Sequence, residues 1–166
     1  MRESLYLFKA GFVPVWEDRR NVNGGSWTFR VPKEKGKEVW TRVQVMAIGE
    51  ELEGALGDGT CLQAGAELME HGQGGGREST DLKAGDQLCG VGLSVRFNAH
   101  LISIWHRDSS CQKSVDAILA TVLAELPEEL RPKSDNYFYK KHQDHAGFDK
   151  ELAENNAKKV PAEKTP

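Results

Sequence analysis

The sequence predicts an α+β domain: an antiparallel sheet with one face on a helical core and the other face open. Three observations predict it. Residues 26–31 and 91–97 alternate apolar with small or polar side chains, the two-residue period of half-buried strands. Val115, Ile118, Leu119, Val122, Leu123 and Leu126 follow the spacing of one helix face. Asn98-Ala99-His100 falls between two strand-like runs and reads as a hairpin, which joins antiparallel neighbours.

The elements follow in order. Leu5-Tyr6-Leu7-Phe8 reads as a first short strand. Gly11 and Pro14 then open a loop that carries Trp16 and Glu17, and Asn23-Gly24-Gly25 turns it back. Trp27, Phe29 and Val31 share one face of the next strand, which Pro32 ends. Lys33 to Lys37 reads as a charged turn. A helix is expected from about Glu38 to Leu52, with Val39, Trp40, Val43, Met46 and Ala47 on one face. Val45, Ile48 and Leu52 make a second stripe, so this helix needs a second neighbour or a partner.

Residues 54–86 break the pattern. Eight glycines fall between Gly54 and Gly76, and so much backbone entropy predicts a flexible insertion. Val91, Leu93, Val95 and Phe97 resume a strand, with Arg96 on its opposite face. Leu101-Ile102-Ser103-Ile104-Trp105 forms the next. Ser109-Ser110-Cys111-Gln112 fits a capping box before the helix that Pro127 ends. Residues 136–141 read as a last strand. A disordered tail is expected over 149–166, rich in Lys, Glu, Ala, Asn and Pro. One domain, residues 1–148, is therefore expected.

The chain has 166 residues, with 22 Lys and Arg against 25 Asp and Glu, a net charge of −3 with neutral histidines. That balance excludes bulk electrostatic binding of nucleic acid but leaves room for a small site that reads one nucleotide. No run of about 18 apolar residues occurs, so no membrane span is expected. Met1-Arg2-Glu3-Ser4 does not lead into the apolar stretch of a signal peptide, and a cytoplasmic or nuclear location follows. Cys61, Cys89 and Cys111 are widely spaced and read as reduced thiols. His142-Gln143-Asp144-His145 has the spacing of a metal pair, yet without further ligands a solvated loop is the better reading. No metal, cofactor or catalytic residue is assigned. The sequence has no P-loop, dinucleotide fingerprint or nucleophile elbow, and it does not read as an enzyme.

Four tryptophans need an account. Trp27 and Trp40 lie on apolar faces and belong to the core; Trp105 ends an apolar strand. Trp16 sits in a loop beside Glu17, where packing demands are weak. An indole there can stack on a base, and a carboxylate can accept hydrogen bonds from the N1 and N2 edge of guanine. Methylation at N7 makes that base cationic. It adds a cation–π contribution and strengthens the bond to the carboxylate.

The run Leu7-Phe8-Lys9-Ala10-Gly11-Phe12-Val13-Pro14-Val15-Trp16-Glu17-Asp18, with Asn21-x-Asn23-Gly24-Gly25-x-Trp27, resembles the translation initiation factor 4E family of mRNA cap-binding proteins. So do Cys89-Gly90-Val91-Gly92-Leu93-Ser94-Val95-Arg96, Ile102-Ser103-Ile104-Trp105 and Tyr139-Lys140-x-His142-x-Asp144. The wording around Arg96 and Trp105 is nearest the 4E homologous protein, a branch that represses translation. The resemblance implies a curved antiparallel sheet with helices on its convex back and a cap site in the concave face. It implies that Trp16 is one slab of an aromatic sandwich around 7-methylguanine. Glu17 then accepts the N1 and N2 protons, Trp105 meets the N7-methyl group, and Arg96 meets the phosphates. It also implies that Thr41, Arg42, Val45 and Gly49 belong to a dorsal surface for helical motifs of the initiation factor 4G or 4E-binding-protein kind.

Departures from the family pattern qualify this. The family domain begins well before Leu5, so its first strand, a dorsal helix and the first sandwich aromatic have no counterpart here. An N-terminally incomplete domain is expected. Leu101 stands in place of a phosphate-binding Lys, as in the repressor branch, and Ser26 in place of a basic residue. The expected function is cap binding and regulation of translation initiation. The alternative is an interaction module that keeps the dorsal surface but binds cap weakly or not at all.

Overall fold

A computed structural model describes residues 3–56, 87–146 and 148. Five antiparallel strands form one sheet: β1 (Glu3–Phe8), β2 (Gly25–Val31), β3 (Leu88–Val95), β4 (His100–His106) and β5 (Tyr137–Lys141), in the order β1-β3-β4-β2-β5. Among the described residues three α-helices accompany them: α1 (Lys33–Ile48), α2 (Glu51–Leu56) and α3 (Gln112–Glu125). The fold class is the expected one. Among the described residues no helix is long and apolar enough to cross a membrane.

Register explains which residues face the helices. Trp27 pairs with Ile104, Phe29 with Ile102, and Val91 with Ile104 across the ladders. These side chains, with Val39, Val43 and Met46 of α1 and Val115, Ile118 and Val122 of α3, make one buried core. Trp27 belongs to it, and its indole N–H donates to the Val115 carbonyl at 2.7 Å, tying the sheet to α3. The intervening positions face the other way. Tyr6, Phe8, Gly90, Gly92, Ser103, Trp105, Ser26, Thr28 and Lys140 therefore share the open face. The rings of Tyr6 and Phe8 lie over Gly92 and Gly90. A Cβ at Gly90 would come within 2.6 Å of the Phe8 ring, so glycine is what lets these aromatics lie flat on β3.

The helical region differs from the expectation of one helix over 38–52 after a charged turn. Pro32 stands at the N-cap with φ −55°, and helix α1 starts directly after it. The Gly49 N–H closes α1 on the Val45 carbonyl at 2.7 Å, and Glu50 takes the left-handed φ of 62°. The chain reverses, and α2 turns Leu52 and Leu56 into the core. Leu52 thus leaves the outer stripe, where Val45 and Ile48 remain 58% and 69% exposed. Residues 54–56, expected in the flexible insertion, are helical. The rest of that insertion and the expected tail lie outside the described residues.

The expected capping box before α3 does not form. Ser109 instead donates from its backbone N–H and its hydroxyl to the Asn23 carbonyl, both at 2.9 Å. Asp108 takes the N–H and hydroxyl of Ser110, and Cys111 is the N-cap residue without a side-chain cap. These bonds fasten the start of α3 to the β1–β2 loop. Cys89 is a buried thiol, whereas Cys111 is disulfide-bonded, against the expectation of reduced thiols throughout.

Candidate functional site

The β1–β2 loop crosses the end of the open face and carries Trp16 and Glu17. Asn21 holds it there. This fully buried residue donates both side-chain hydrogens to the carbonyls of Val13 (2.7 Å) and Val15 (2.8 Å). Turn bonds from Asn21 N–H to Asp18 O and from Gly24 N–H to Asn21 O close the loop. The position of Trp16 is thereby set by backbone bonds on both sides.

A second apolar cluster lies beneath the loop. Phe12, Cys89 and Trp105 are buried together, and Phe8 and Trp16 pack against them. Leu88 and Gly90 pair with consecutive residues of β4, so Cys89 is the extra residue of a bulge. A bulge beside a site re-aims its neighbours. Trp105 is only 6% exposed. Its ring meets Phe8 edge-on at 5.4 Å and His142 at 4.4 Å, and its N–H donates to the Ser103 hydroxyl at 3.1 Å.

The segment after β5 closes the site from the other side, and here the expectation of a solvated histidine loop fails. His142 is fully buried. Its backbone N–H donates to the Gly24 carbonyl at 3.0 Å, and its Nδ1 donates to the Asn21 carbonyl at 2.7 Å. One turn later His145 lies flat on Trp16, ring centroids 3.9 Å apart and planes within 13°. Burial lowers the pKa of His142 to about 4. His145 adds to the depression, while the bond to Asn21 and the nearby Glu17 oppose it. Burial and Lys140 also lower His145, against Asp144. Both rings are neutral near pH 7.

Several buried polar atoms gather here without a partner. They are Glu17 Oε1, Asn21 Oδ1, His142 Nε2 and His145 Nε2. The first three are acceptors, since Nδ1 of neutral His142 donates to the Asn21 carbonyl and leaves Nε2 with its lone pair. Buried acceptors without donors are uncommon, each destabilising by about 1–3 kcal/mol. A ligand that presents N–H groups would relieve the one on Glu17.

Of the expected site residues, the structure brings Trp16, Glu17 and Trp105 together. Arg96 sits elsewhere on the same face. It lies just beyond the end of β3, six residues from Gly90, the partner of Trp105, or about 20 Å at strand spacing. Lys140 is nearer: it pairs with Ser26, which in turn pairs with Trp105. On the far side of the molecule, Thr41, Arg42 and Val45 line a groove of about 250 Å³ with Met46, Glu51 and Glu125. Gly49 ends α1 beside it. Arg42 also pairs with Glu38 at 3.1 Å. Sequence reasoning missed Asn21 and the burial of His142, although both lie inside the runs that carry the family resemblance. Among the described residues no group of three or more His, Cys, Asp or Glu could hold a metal ion.

A profile described as eukaryotic initiation factor 4E matches residues 1–157. Eukaryotic translation initiation factor NCBP of Arabidopsis thaliana is 31% identical over 111 residues, 67% of this chain and 37% of that protein. Eukaryotic translation initiation factor 4E-4 of Caenorhabditis elegans is 26% identical over 143 residues, 86% of this chain and 52% of that protein. The chain thus spans about a third to a half of the length of these relatives. Among solved structures, Ascaris suum eIF4E-3 in complex with m2,2,7G cap is similar with a TM-score of 0.57 and 25% identity, over 86% of this chain and 64% of that one. A complex of C. elegans eIF4E-3 with the 4E-binding protein Mextli and cap analog has a TM-score of 0.61 at 24% identity, over 85% and 63% of the two chains, a likeness of fold.

Proposed function

The chain belongs to the eukaryotic initiation factor 4E family, and we propose that it binds the 7-methylguanosine cap of mRNA and regulates translation initiation. The observation that carries this reading is the buried, unpartnered Glu17 Oε1 beside the Trp16 ring. A guanine stacked on Trp16 presents its N1 and N2 hydrogens to that carboxylate. The positive charge of a 7-methyl base strengthens both contacts. Trp105 backs the pocket from the sheet, and Arg96 waits along the open face for the phosphate chain. Binding is non-covalent and needs no reaction chemistry. Cap-bound eIF4E-3 of Ascaris suum, at 25% identity, supports the same use of this fold. Leu101, where the family has a phosphate-binding Lys, and the Val95-Arg96-Phe97 wording favour the repressor-type branch. A cytoplasmic or nuclear place of action follows from the substrate.

The test is a tryptophan-fluorescence titration with 7-methylguanosine triphosphate and, in parallel, GTP. Saturable quenching by the methylated ligand alone, lost in Glu17→Ala, is expected. Equal response to the two ligands from a folded sample would overturn the reading.

A second reading rests on the opposite face. Val45 and Ile48 are exposed on α1 beside the groove that holds Thr41 and Arg42. Glu51 and Glu125 add carboxylates to it, so an amphipathic helix with apolar anchors and basic flanks fits its chemistry. A synthetic 4E-binding helix should bind the parent chain. Val45→Asp with Ile48→Asp should weaken it at least ten-fold and leave ligand quenching unchanged.

A further inference from the structure

We propose that His145 is the second aromatic wall of the base pocket: a flat base inserts between the Trp16 and His145 rings and is then held at its edge by Glu17. The inference rests on the cap-binding reading and gives it a residue that nothing else supplies.

The geometry supports it in three ways. First, Trp16 has limited surface to offer. It packs against the Phe12, Cys89 and Trp105 cluster, and its stacking face is covered by His145 at 3.9 Å. A base plane takes up about 3.4 Å of a stack, so no base fits there as the rings stand. His145 has to move outward by about one base thickness, and its plane is already parallel to Trp16.

Second, the turn is built for such a movement. His142 is anchored by Asn21, Gly24 and Trp105, and Phe148 is buried beyond. Between them Gln143, Asp144 and Ala146 are exposed and His145 is half-buried. The His145 backbone is fixed on both sides, its N–H bonded to the His142 carbonyl and its carbonyl to the Phe148 N–H, each at 3.1 Å. The side chain can swing on a fixed pivot while losing little packing.

Third, the polar atoms match. Glu17 Oε1, His142 Nε2 and His145 Nε2 are buried and unpartnered, with Glu17 next to Trp16 in the chain and the two imidazole rings 6.4 Å apart. The groups facing His145 are Lys140, Asp144 and the His142 ring, whose centroid lies 6.4 Å away. Its imidazole is neutral at physiological pH, so its ring face attracts a cationic base rather than repelling it.

The experiment compares the parent chain with His145→Ala and His145→Phe in titrations with 7-methylguanosine triphosphate, each variant first checked by thermal melting. Loss of one stacking wall should weaken His145→Ala about ten-fold or more, and His145→Phe should stay within a few-fold of the parent. A second readout is NMR of the saturated parent chain, in which the His145 ring protons should show contacts to the bound base. Unchanged or tighter binding by His145→Ala would make His145 a mere obstruction and overturn the proposal, as would absence of those contacts. A parent chain that binds the methylated ligand while these arms fail would leave cap binding standing. A parent chain that binds neither ligand would overturn both.

Discussion

Asn21 shows how one buried side chain can set a binding loop. Its amide donates to two carbonyls on the Trp16 side, and its own carbonyl receives the His142 ring. Asn21→Ala removes both side-chain donors and leaves the Val13 and Val15 carbonyls only their backbone bonds, from the Val15 N–H at 2.8 Å and the Asp18 N–H at 3.4 Å. It should destabilise the chain by about 1–3 kcal/mol, read as a lower melting temperature. Ligand affinity should fall further than stability, because Trp16 loses its fixed position. A variant with parent-like melting and parent-like quenching would rule this role out. At this scale the sequence singles out Trp16 and Glu17 by their chemistry but gives no sign of what Asn21 and His142 hold. An exposed aromatic beside an acid has a recognisable chemistry. The partners of Asn21 and His142 are backbone carbonyls, which any residue provides, so no side-chain pattern marks them.

At the scale of elements, β2, β4 and α3 were legible because each has one buried face and a clear period. The end of α1 was not. Periodicity runs on from Val45 through Ile48 to Leu52, but the helix closes on Gly49 and reverses at Glu50. Only the left-handed backbone there separates Ile48 on the surface from Leu52 in the core. Nor did sequence reveal what α2 does. Glu53 accepts the backbone N–H groups of Gln87 (2.6 Å) and Leu88 (3.0 Å) and pairs with Lys9 at 2.8 Å. One carboxylate thus joins α2, the start of β3 and the end of β1. Glu53→Ala should lower stability by about 1–3 kcal/mol and speed amide exchange at Leu88 and its neighbours. Glu53→Gln retains an acceptor oxygen and should recover part of it. Exchange unaltered in both variants would show that β3 is held by its ladder alone.

For the whole molecule, the histidines make stability depend on pH. His106 is fully buried, its Nε2 bonded to the Tyr139 hydroxyl at 2.7 Å. Burial lowers its pKa to about 4, with His142 adding and Asp108 opposing. Burial likewise puts His142 at about 4. In the unfolded chain both titrate near 6.5. Between those values the unfolded state takes up protons that the folded state refuses. Stability is therefore complete above pH 6.5 and is lost as pH falls towards 4. The shifts correspond to on the order of 3 kcal/mol for each ring, against about 5–15 kcal/mol for a whole domain. Melting followed from pH 7.5 to 4.5 should show a steep fall below 6.5. His106→Gln and His142→Gln should start lower at pH 7.5, where they lose contacts, and fall less steeply. An equal slope in parent and variants would assign the acid sensitivity to the carboxylates instead. The two rings bracket the candidate site: His142 touches Trp105 and the Asn21 carbonyl, and His106 follows Trp105 in β4. Acid should therefore loosen the loop that carries Trp16 as the domain weakens. Ligand affinity and melting temperature should decline together over the same pH interval.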